Sequence, residues 1–236
     1  MSTFLKLVAF DADDTLWENE TFYRLTEERF TELLADFAEA DQLSERLIAA
    51  ERRNLARYGF GIKGFTLSMI ETAIEVTDNR VPAEVIGKVL ETGREMLAHP
   101  LHLLDGVTET LEMLAKIYRL ALITKGDLFD QERKLAASGL GDLFRVVEIV
   151  SDKTPSVYTR IFREQAAENT AMMVGNSVKS DVIPAITAGG YGIYVPHDLE
   201  WSLEAAIPPE NHKRYREISN LSALPALIEE IEDANG

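Results

Sequence analysis

The opening segment constrains the fold most, because a short apolar run stops abruptly at a group of carboxylates. Residues 5–10 are apolar apart from Lys6, and Asp11, Asp13 and Asp14 follow within four positions. A run of this length without polar alternation predicts a strand that is buried on both faces of a parallel sheet. Ligands of open parallel sheets bind at the carboxyl ends of the strands, where these acids stand. Because neighbouring carboxylates repel one another, we expect a divalent cation with oxygen ligands among them.

Two other interpretations of this segment are open at this point. Asp14 or Thr15 is a good N-cap residue, so the acids could belong to a turn that only begins the next helix. An EF-hand calcium loop fits less well, since it requires Gly at its sixth position and Glu at its twelfth. Counted from Asp11, those positions hold Leu16 and Phe22.

The composition describes an ordinary globular chain with an acidic surface. Of 236 residues, 46% are hydrophobic, which is enough for one or two domains. Lys and Arg number 24 against 40 Asp and Glu, so the net charge is −16, and neither nucleic acid nor an anionic membrane is expected as a partner. The chain has no cysteine, which excludes disulfides and thiolate metal sites.

No targeting or membrane segment is expected. No apolar stretch approaches the roughly 20 residues of a membrane span, and Lys6 and Asp11 interrupt any apolar core of a signal peptide. A cytoplasmic location is therefore the expectation. The oligomeric state is left open by the sequence.

Residues 19 to about 99 have a helical pattern throughout. Apolar side chains recur at helical spacing in four stretches, the first of which carries Phe22, Leu25, Phe30, Leu33, Leu34 and Phe37. Glycines at 59, 61 and 64 separate the second stretch from the third, and Pro82 begins the fourth. We predict four helices in this part of the chain and no strand.

From Asp105 onward the pattern alternates between helix and strand. Strands are predicted at 119–123, 146–150, 171–174 and 191–195, with helices between them, an irregular stretch at 196–220 and a last helix at 221–231. The alternation predicts βαβ units and hence an α/β fold, a Rossmann-like doubly wound parallel sheet. The predicted core comprises residues 1–17 and 103–236, and the all-α insert comprises residues 18–102.

Polar residues follow four of the predicted strands, at the edge where the loops of a parallel sheet converge. Their chemistry is complementary, since the acids suit a cation while a hydroxyl, backbone amides and an ammonium suit an anion. The set comprises Asp11 and Asp13, then Thr124, Lys125 and Gly126, then Lys153, and finally Asn176 and Asp181.

In order and spacing, these residues resemble the four motifs of the haloacid dehalogenase superfamily. The position of the insert is similar to the C1-type helical cap of that superfamily, and the resemblance extends over essentially the whole chain. It implies that Asp11 is a nucleophile that forms an aspartyl-phosphate and that Asp13 is the general acid–base. It further implies that Thr124 and Lys153 hold the phosphoryl group, with Lys125 and Gly126 beside them.

The resemblance also implies Mg2+, held by Asp11, the Asp13 carbonyl group, Asn176 and Asp181. Phosphatases of this type usually have Gly-Asp where this chain has Gly175-Asn176, and an amide brings no charge, so we expect weaker metal binding. Asn176 and Ser177 would also serve as caps of the following helix.

The predicted function is a Mg2+-dependent phosphatase acting on a small phosphorylated metabolite, which is left open between sugar phosphate, nucleoside monophosphate and phosphoglycolate. One alternative is a 2-haloacid dehalogenase on the same fold. Superfamily members with that activity typically lack the second acid, so Asp13 favours phosphoryl transfer. The other alternative is a binding or regulatory protein in which Asn176 marks a weakened site.

Overall fold

The computed structural model describes residues 3–199 and 201–235. The chain divides into two compact units. The first contains residues 1–18, 101–125 and 132–236, and the second contains residues 19–100 and 126–131. The sequence placed the boundaries at 17/18 and 102/103 and did not assign residues 126–131 to the helical part. Those exact boundaries stay a prediction.

The first unit is an α/β sheet domain. Over the described residues its sheet has six strands in the order β3-β2-β1-β4-β5-β6, all parallel: β1 (Leu7–Phe10), β2 (Arg119–Lys125), β3 (Val146–Val150), β4 (Ala171–Gly175), β5 (Tyr191–Tyr194) and β6 (Tyr215–Glu217). Its helices are α5 (Val107–Leu114), α7 (Pro155–Glu164), α8 (Ile183–Thr187), α9 (Leu224–Asn235) and most of α6 (Leu128–Ser138). The predicted fold class is confirmed.

Strand β1 is central because it is apolar on both faces. Val8 and Phe10 pack on one face of the sheet, together with side chains of α5 and α9. Leu7 and Ala9 pack on the other face, with side chains of α7. Successive strand residues point to opposite faces, so an unbroken apolar run is buried on both sides. All four residues of β1 are fully buried.

The second unit is helical and has its own core. It contains α1 (Glu20–Leu33), α2 (Ala40–Tyr58), α3 (Ile62–Val76) and α4 (Ala83–Ala98). One apolar stripe from each helix contributes to the core, which includes Phe30, Leu43, Leu47, Met69 and Val89. Gly59 and Gly61 have positive φ angles of 73° and 109°, and this explains the break between α2 and α3. Four helices were predicted in this part of the chain, and the structure has four.

One local prediction was wrong. The stretch 196–220 was expected to be irregular, but it contains β6, which extends the sheet by pairing with β5. The helix between β4 and β5 is present as α8, and a π-helical turn, Val178–Val182, precedes it. Among the described residues, none of the helices combines the length and the apolar character that crossing a membrane requires.

Candidate active site

The carboxylates after β1 stand on a tight turn. The chain stays hydrogen-bonded to the sheet for one more residue and then reverses direction. The Asp11 N–H donates to the Val174 carbonyl group at 2.9 Å, so Asp11 is still held by the neighbouring strand. Asp14 has a φ of 58°, a left-handed conformation that Asp tolerates better than most residues, and its N–H donates to the Trp17 carbonyl group at 2.7 Å. The acids therefore stand on a tight turn of fixed shape.

Lys153 lies between two buried carboxylates. It belongs to the loop between β3 and α7, and its Nζ donates to Asp11 Oδ1 and, at 2.6 Å, to Asp181 Oδ1. The side chains of Lys153 and Asp181 are 2% and 0% exposed, so bulk water screens this cluster little. Three predicted loops of the sheet edge are thus brought together by one ammonium group.

The single ammonium of Lys153 cannot neutralise both Asp11 and Asp181, and this imbalance shifts the pKa values of the cluster. Burial raises the pKa of Asp11 from 3.8 to about 7, with the charge of Asp181 also raising it and that of Lys153 lowering it. Burial lowers the pKa of Lys153, but the charges of Asp11 and Asp181 outweigh it and raise that pKa overall. Lys153 is therefore charged at neutral pH, and Asp11 is the group whose ionisation is costly.

Asp181 owes its position to the π-helical turn and to a glycine. The Ser177 N–H donates to Asp181 Oδ2 at 3.0 Å, while Oδ1 faces Lys153. A Cβ atom at Gly175 would stand 2.2 Å from Asp181 Oδ2, so only glycine fits there. The lack of space beside Asp181 therefore explains why residue 175, before Asn176, is a glycine.

Asn176 stands where the predicted cation ligands meet. Its carboxamide lies 3.2 Å from the Asp13 carbonyl oxygen, Asp11 Oδ2 and Thr15 Oγ1. With its nitrogen on that side, the amide donates hydrogen bonds to these oxygens; with its oxygen there, it adds an oxygen ligand. These contacts are at hydrogen-bond length, and the oxygens that surround the amide are of the hard kind that Mg2+ prefers.

The donor set of such a cation is mostly neutral. Among residues 3–199 and 201–235, no group of three or more His, Asp or Glu side chains is arranged to hold a metal ion. A cation beside Asp11 would use the Asp13 backbone carbonyl group and the Asn176 amide as well as carboxylate oxygen. Hard oxygen ligands of this kind suit Mg2+.

The residues at the end of β2 have different environments. Thr124 is 1% exposed at the carboxyl end of the strand. Lys125 donates to Ser180 Oγ at 2.8 Å and to Glu204 Oε1 at 2.5 Å, so its ammonium is bound within the protein. Gly126 has a φ of 149°, which a side chain would rarely adopt, and it belongs to the second unit.

Glu204 is a half-buried carboxylate that the sequence did not reveal. It accepts hydrogen bonds from Lys125, Ser177 and Ser180, and thereby connects the end of β2 to the π-helical turn. Burial raises its pKa, but the Lys125 charge and these hydrogen bonds outweigh burial and lower it overall. It lies in the stretch predicted to be irregular, where no pattern marks it.

Asp13 also has partners that the sequence did not reveal. Its Oδ1 accepts a hydrogen bond from Trp17 Nε1 at 2.7 Å and another from Lys134 Nζ at 2.9 Å. Lys134 lies on α6, a helix without any motif residue. Only the three-dimensional structure brings this lysine to the site.

These contacts define the class of protein to which the chain belongs. A parallel sheet carries, at its carboxyl edge, a buried carboxylate beside an ammonium, with a second carboxyl group two residues away. This arrangement is that of an α/β enzyme with a carboxylate at its reaction centre.

Comparison with known proteins identifies the family. The model of the haloacid dehalogenase-like hydrolases matches residues 5–189, and the chain belongs to this family. A crystal structure of a family hydrolase from Xanthomonas campestris is 42% identical, covers 98% of this chain and 94% of its own, and superposes with a TM-score of 0.88.

Two other relatives are more distant. The glyceraldehyde 3-phosphate phosphatase of Methanothermobacter thermautotrophicus is 26% identical over an alignment of 211 residues, which covers 83% of this chain and 87% of that protein. A HAD-hydrolase of Bacillus subtilis, whose structure is described as bound to magnesium, is 16% identical, covers 95% of this chain and 98% of its own and has a TM-score of 0.67. At that identity the second relative shows the fold alone. The chain is thus a haloacid dehalogenase-like hydrolase.

Proposed function

We propose that this hydrolase is a Mg2+-dependent phosphatase of small phosphorylated metabolites. The observation that supports this most is the pairing of Lys153 with Asp11 at the sheet edge, with Asp13 two residues further on. The similarity to a named glyceraldehyde 3-phosphate phosphatase supports a short phosphorylated aldehyde or sugar as the first substrate class to test. A net charge of −16 favours a small ligand over nucleic acid or an anionic membrane.

Asp11 is the nucleophile in this proposal. Its carboxylate forms a bond to phosphorus while the bond from phosphorus to the ester oxygen breaks, and the product is an aspartyl-phosphate. Lys153 favours the ionised form of Asp11 that this attack requires, and it offsets the negative charge that the phosphoryl group brings. Thr124, at the end of the adjacent strand, provides a hydroxyl group for a phosphoryl oxygen.

Asp13 carries the proton in both half-reactions. It gives its proton to the ester oxygen as that oxygen leaves with the electron pair of the broken bond. It then takes a proton from the water that attacks the aspartyl-phosphate, which releases inorganic phosphate and restores Asp11. One residue can do both, since the first step leaves it as the base that the second step needs.

The residues that would hold Mg2+ are Asp11, the Asp13 carbonyl group and Asn176. Asp181, which is paired with Lys153, would bind the ion directly or through a water molecule. When bound, Mg2+ would supply positive charge that shields the nucleophile from the phosphoryl oxygens. Because Asn176 is neutral, this set carries less negative charge than one with a further carboxylate, and we expect modest affinity.

A 2-haloacid dehalogenase activity is the competing function. Displacement of a halide ion needs no proton on the leaving group. An acid that is held by two donors, as Asp13 is, would then have no task in the first step. This observation favours ester hydrolysis.

The test is a screen of phosphate esters with wild-type enzyme, in Mg2+ and in EDTA, beside Asp11→Asn. The exposed Asp142→Asn variant is the matched control, because it removes the same charge away from the sheet edge. We expect phosphate release that requires Mg2+, is abolished in Asp11→Asn and is unchanged in Asp142→Asn. Activity that survives in Asp11→Asn contradicts the assigned nucleophile, and chloride release from 2-chloropropionate without metal would support the dehalogenase.

A further inference from the structure

Asp13 is held by two side chains that no motif includes. Trp17 Nε1 and Lys134 Nζ both donate to the same oxygen, Asp13 Oδ1, at 2.7 and 2.9 Å. The Lys134 side chain is only 10% exposed, while that of Asp13 is 24% exposed. A nearly buried ammonium thus points at the carboxyl group that carries the proton in the proposed reaction.

Burying this lysine is costly for the protein. A lysine loses hydration when it is buried, and ion pairing offsets that cost only partly. Lys134 lies on α6, two residues after the exposed Glu132, so the same helix also has solvated positions for charged side chains. A functional effect of Lys134 on Asp13 therefore explains the burial of its ammonium group better than a contribution to stability does.

The two donors restrict the carboxyl group in a defined way. An oxygen that already accepts two hydrogen bonds, one from a cation, is a poor place for a proton. The transferable proton is then on Oδ2, and rotation of the carboxyl group about its bond to Cβ would break both bonds. Trp17 is 1% exposed, so its indole ring is itself fixed by packing.

We propose that Lys134 and Trp17 are positioning residues that orient Asp13 for proton transfer to the leaving oxygen. This inference rests on the proposed phosphatase function. In the step concerned, the O–H bond at Asp13 Oδ2 breaks as its proton moves to the ester oxygen, which receives the electron pair of the broken P–O bond. Asp11 forms the new P–O bond. Misorientation of Asp13 slows this step in proportion to how much the leaving group needs the proton.

The test measures kcat/KM for a series of leaving groups, from p-nitrophenyl phosphate through phenyl phosphate to an alkyl phosphate. p-Nitrophenolate leaves readily without a proton, whereas an alkoxide does not. A general acid contributes about 10²–10⁴-fold, so we expect Lys134→Met to lower kcat/KM by at least about 10-fold for the alkyl ester and by less than about 3-fold for the nitrophenyl ester. Trp17→Phe should show the same trend.

Three comparisons separate positioning from a general structural effect. Lys134→Arg keeps the charge and the donors and should recover most of the alkyl ester activity. Lys116→Met removes an exposed lysine of the same unit and should leave the series unchanged. In an Asp13→Asn background, Lys134→Met should cause no further change in the leaving-group dependence, because Lys134 acts through Asp13.

The outcomes distinguish this inference from the function on which it rests. If wild-type enzyme hydrolyses the series but Lys134→Met loses the same factor on every ester, the positioning role is refuted and the phosphatase function stands. A further change in the leaving-group dependence when Lys134→Met is added to Asp13→Asn also refutes the positioning role. If wild-type enzyme hydrolyses none of the esters with Mg2+, both the function and the inference fail.

Discussion

Removing the buried ammonium of Lys153 should destabilise the chain more than any surface change would. Lys153→Met keeps the length of the side chain but leaves Asp11 and Asp181 facing one another, with exposed fractions of 9% and 0%. Loss of one partner from a buried ion pair costs about 3–5 kcal/mol. For a chain of this size 1 kcal/mol corresponds to about 2–4 °C in Tm, so we expect Tm to fall by about 10 °C at pH 7.5 in EDTA.

The pH dependence of that loss is specific to its electrostatic cause. Burial already raises the pKa of Asp11 from 3.8 to about 7, and removal of Lys153 raises it further. An acid with a raised pKa in the folded state costs no stability below its unfolded pKa and costs progressively more as pH rises toward the folded value. In the wild-type chain Asp11 is itself mostly protonated below pH 7, so its share of the Lys153→Met deficit should be small near pH 4 and should grow from about pH 7 upward.

Thermal unfolding of the wild-type and variant chains between pH 4 and pH 8 measures this effect. The double variant Lys153→Met with Asp181→Asn is the control, because it removes one of the two opposed carboxylates and should recover part of the lost stability. A deficit that stays below about 1 kcal/mol at pH 7.5, or one that grows as the pH falls, would refute the reasoning.

Two further predictions follow from the geometry of the π-helical turn and the metal ligands. Asn176→Asp should bind Mg2+ at least about 10-fold more tightly in titration calorimetry, because it adds a negative charge to the ligand set, and an unchanged affinity would argue against Asn176 as a ligand. Gly175→Ala should lower stability by about 1–3 kcal/mol in urea unfolding, because its Cβ would meet Asp181. Gly87→Ala is its control, since nothing lies within 4 Å of a Cβ there; equal behaviour of the two variants would contradict the steric argument.

The sequence predicted those parts of the fold that depend on local patterns. The apolar run of β1, the helical stripes of residues 19 to about 99 and the alternation after Asp105 are each visible in a short window. The sheet edge followed from topology, because the loops after parallel strands converge whatever their separation along the chain. That is why Asp11, Lys153 and Asp181 were expected together, and the structure places them in contact.

The rest depends on packing that no local pattern records. Strand β6 has only three residues and is formed by pairing with β5, so its own sequence carries little signal. Lys134 and Glu204 are ordinary charged residues in a helix and in a loop until the fold brings them beside other polar groups. Their contribution to the site is a property of the tertiary structure.

The central claim is that Asp11 takes the phosphoryl group, and trapping that intermediate tests it most directly. We would mix Asp13→Asn with p-nitrophenyl phosphate and Mg2+, since this leaving group needs no proton while water attack on the intermediate still needs the base. Acid quenching and peptide mass spectrometry should then find one phosphoryl group on Asp11. Release of p-nitrophenol with no phosphorylated protein, or with the phosphoryl group on another residue, would contradict the account.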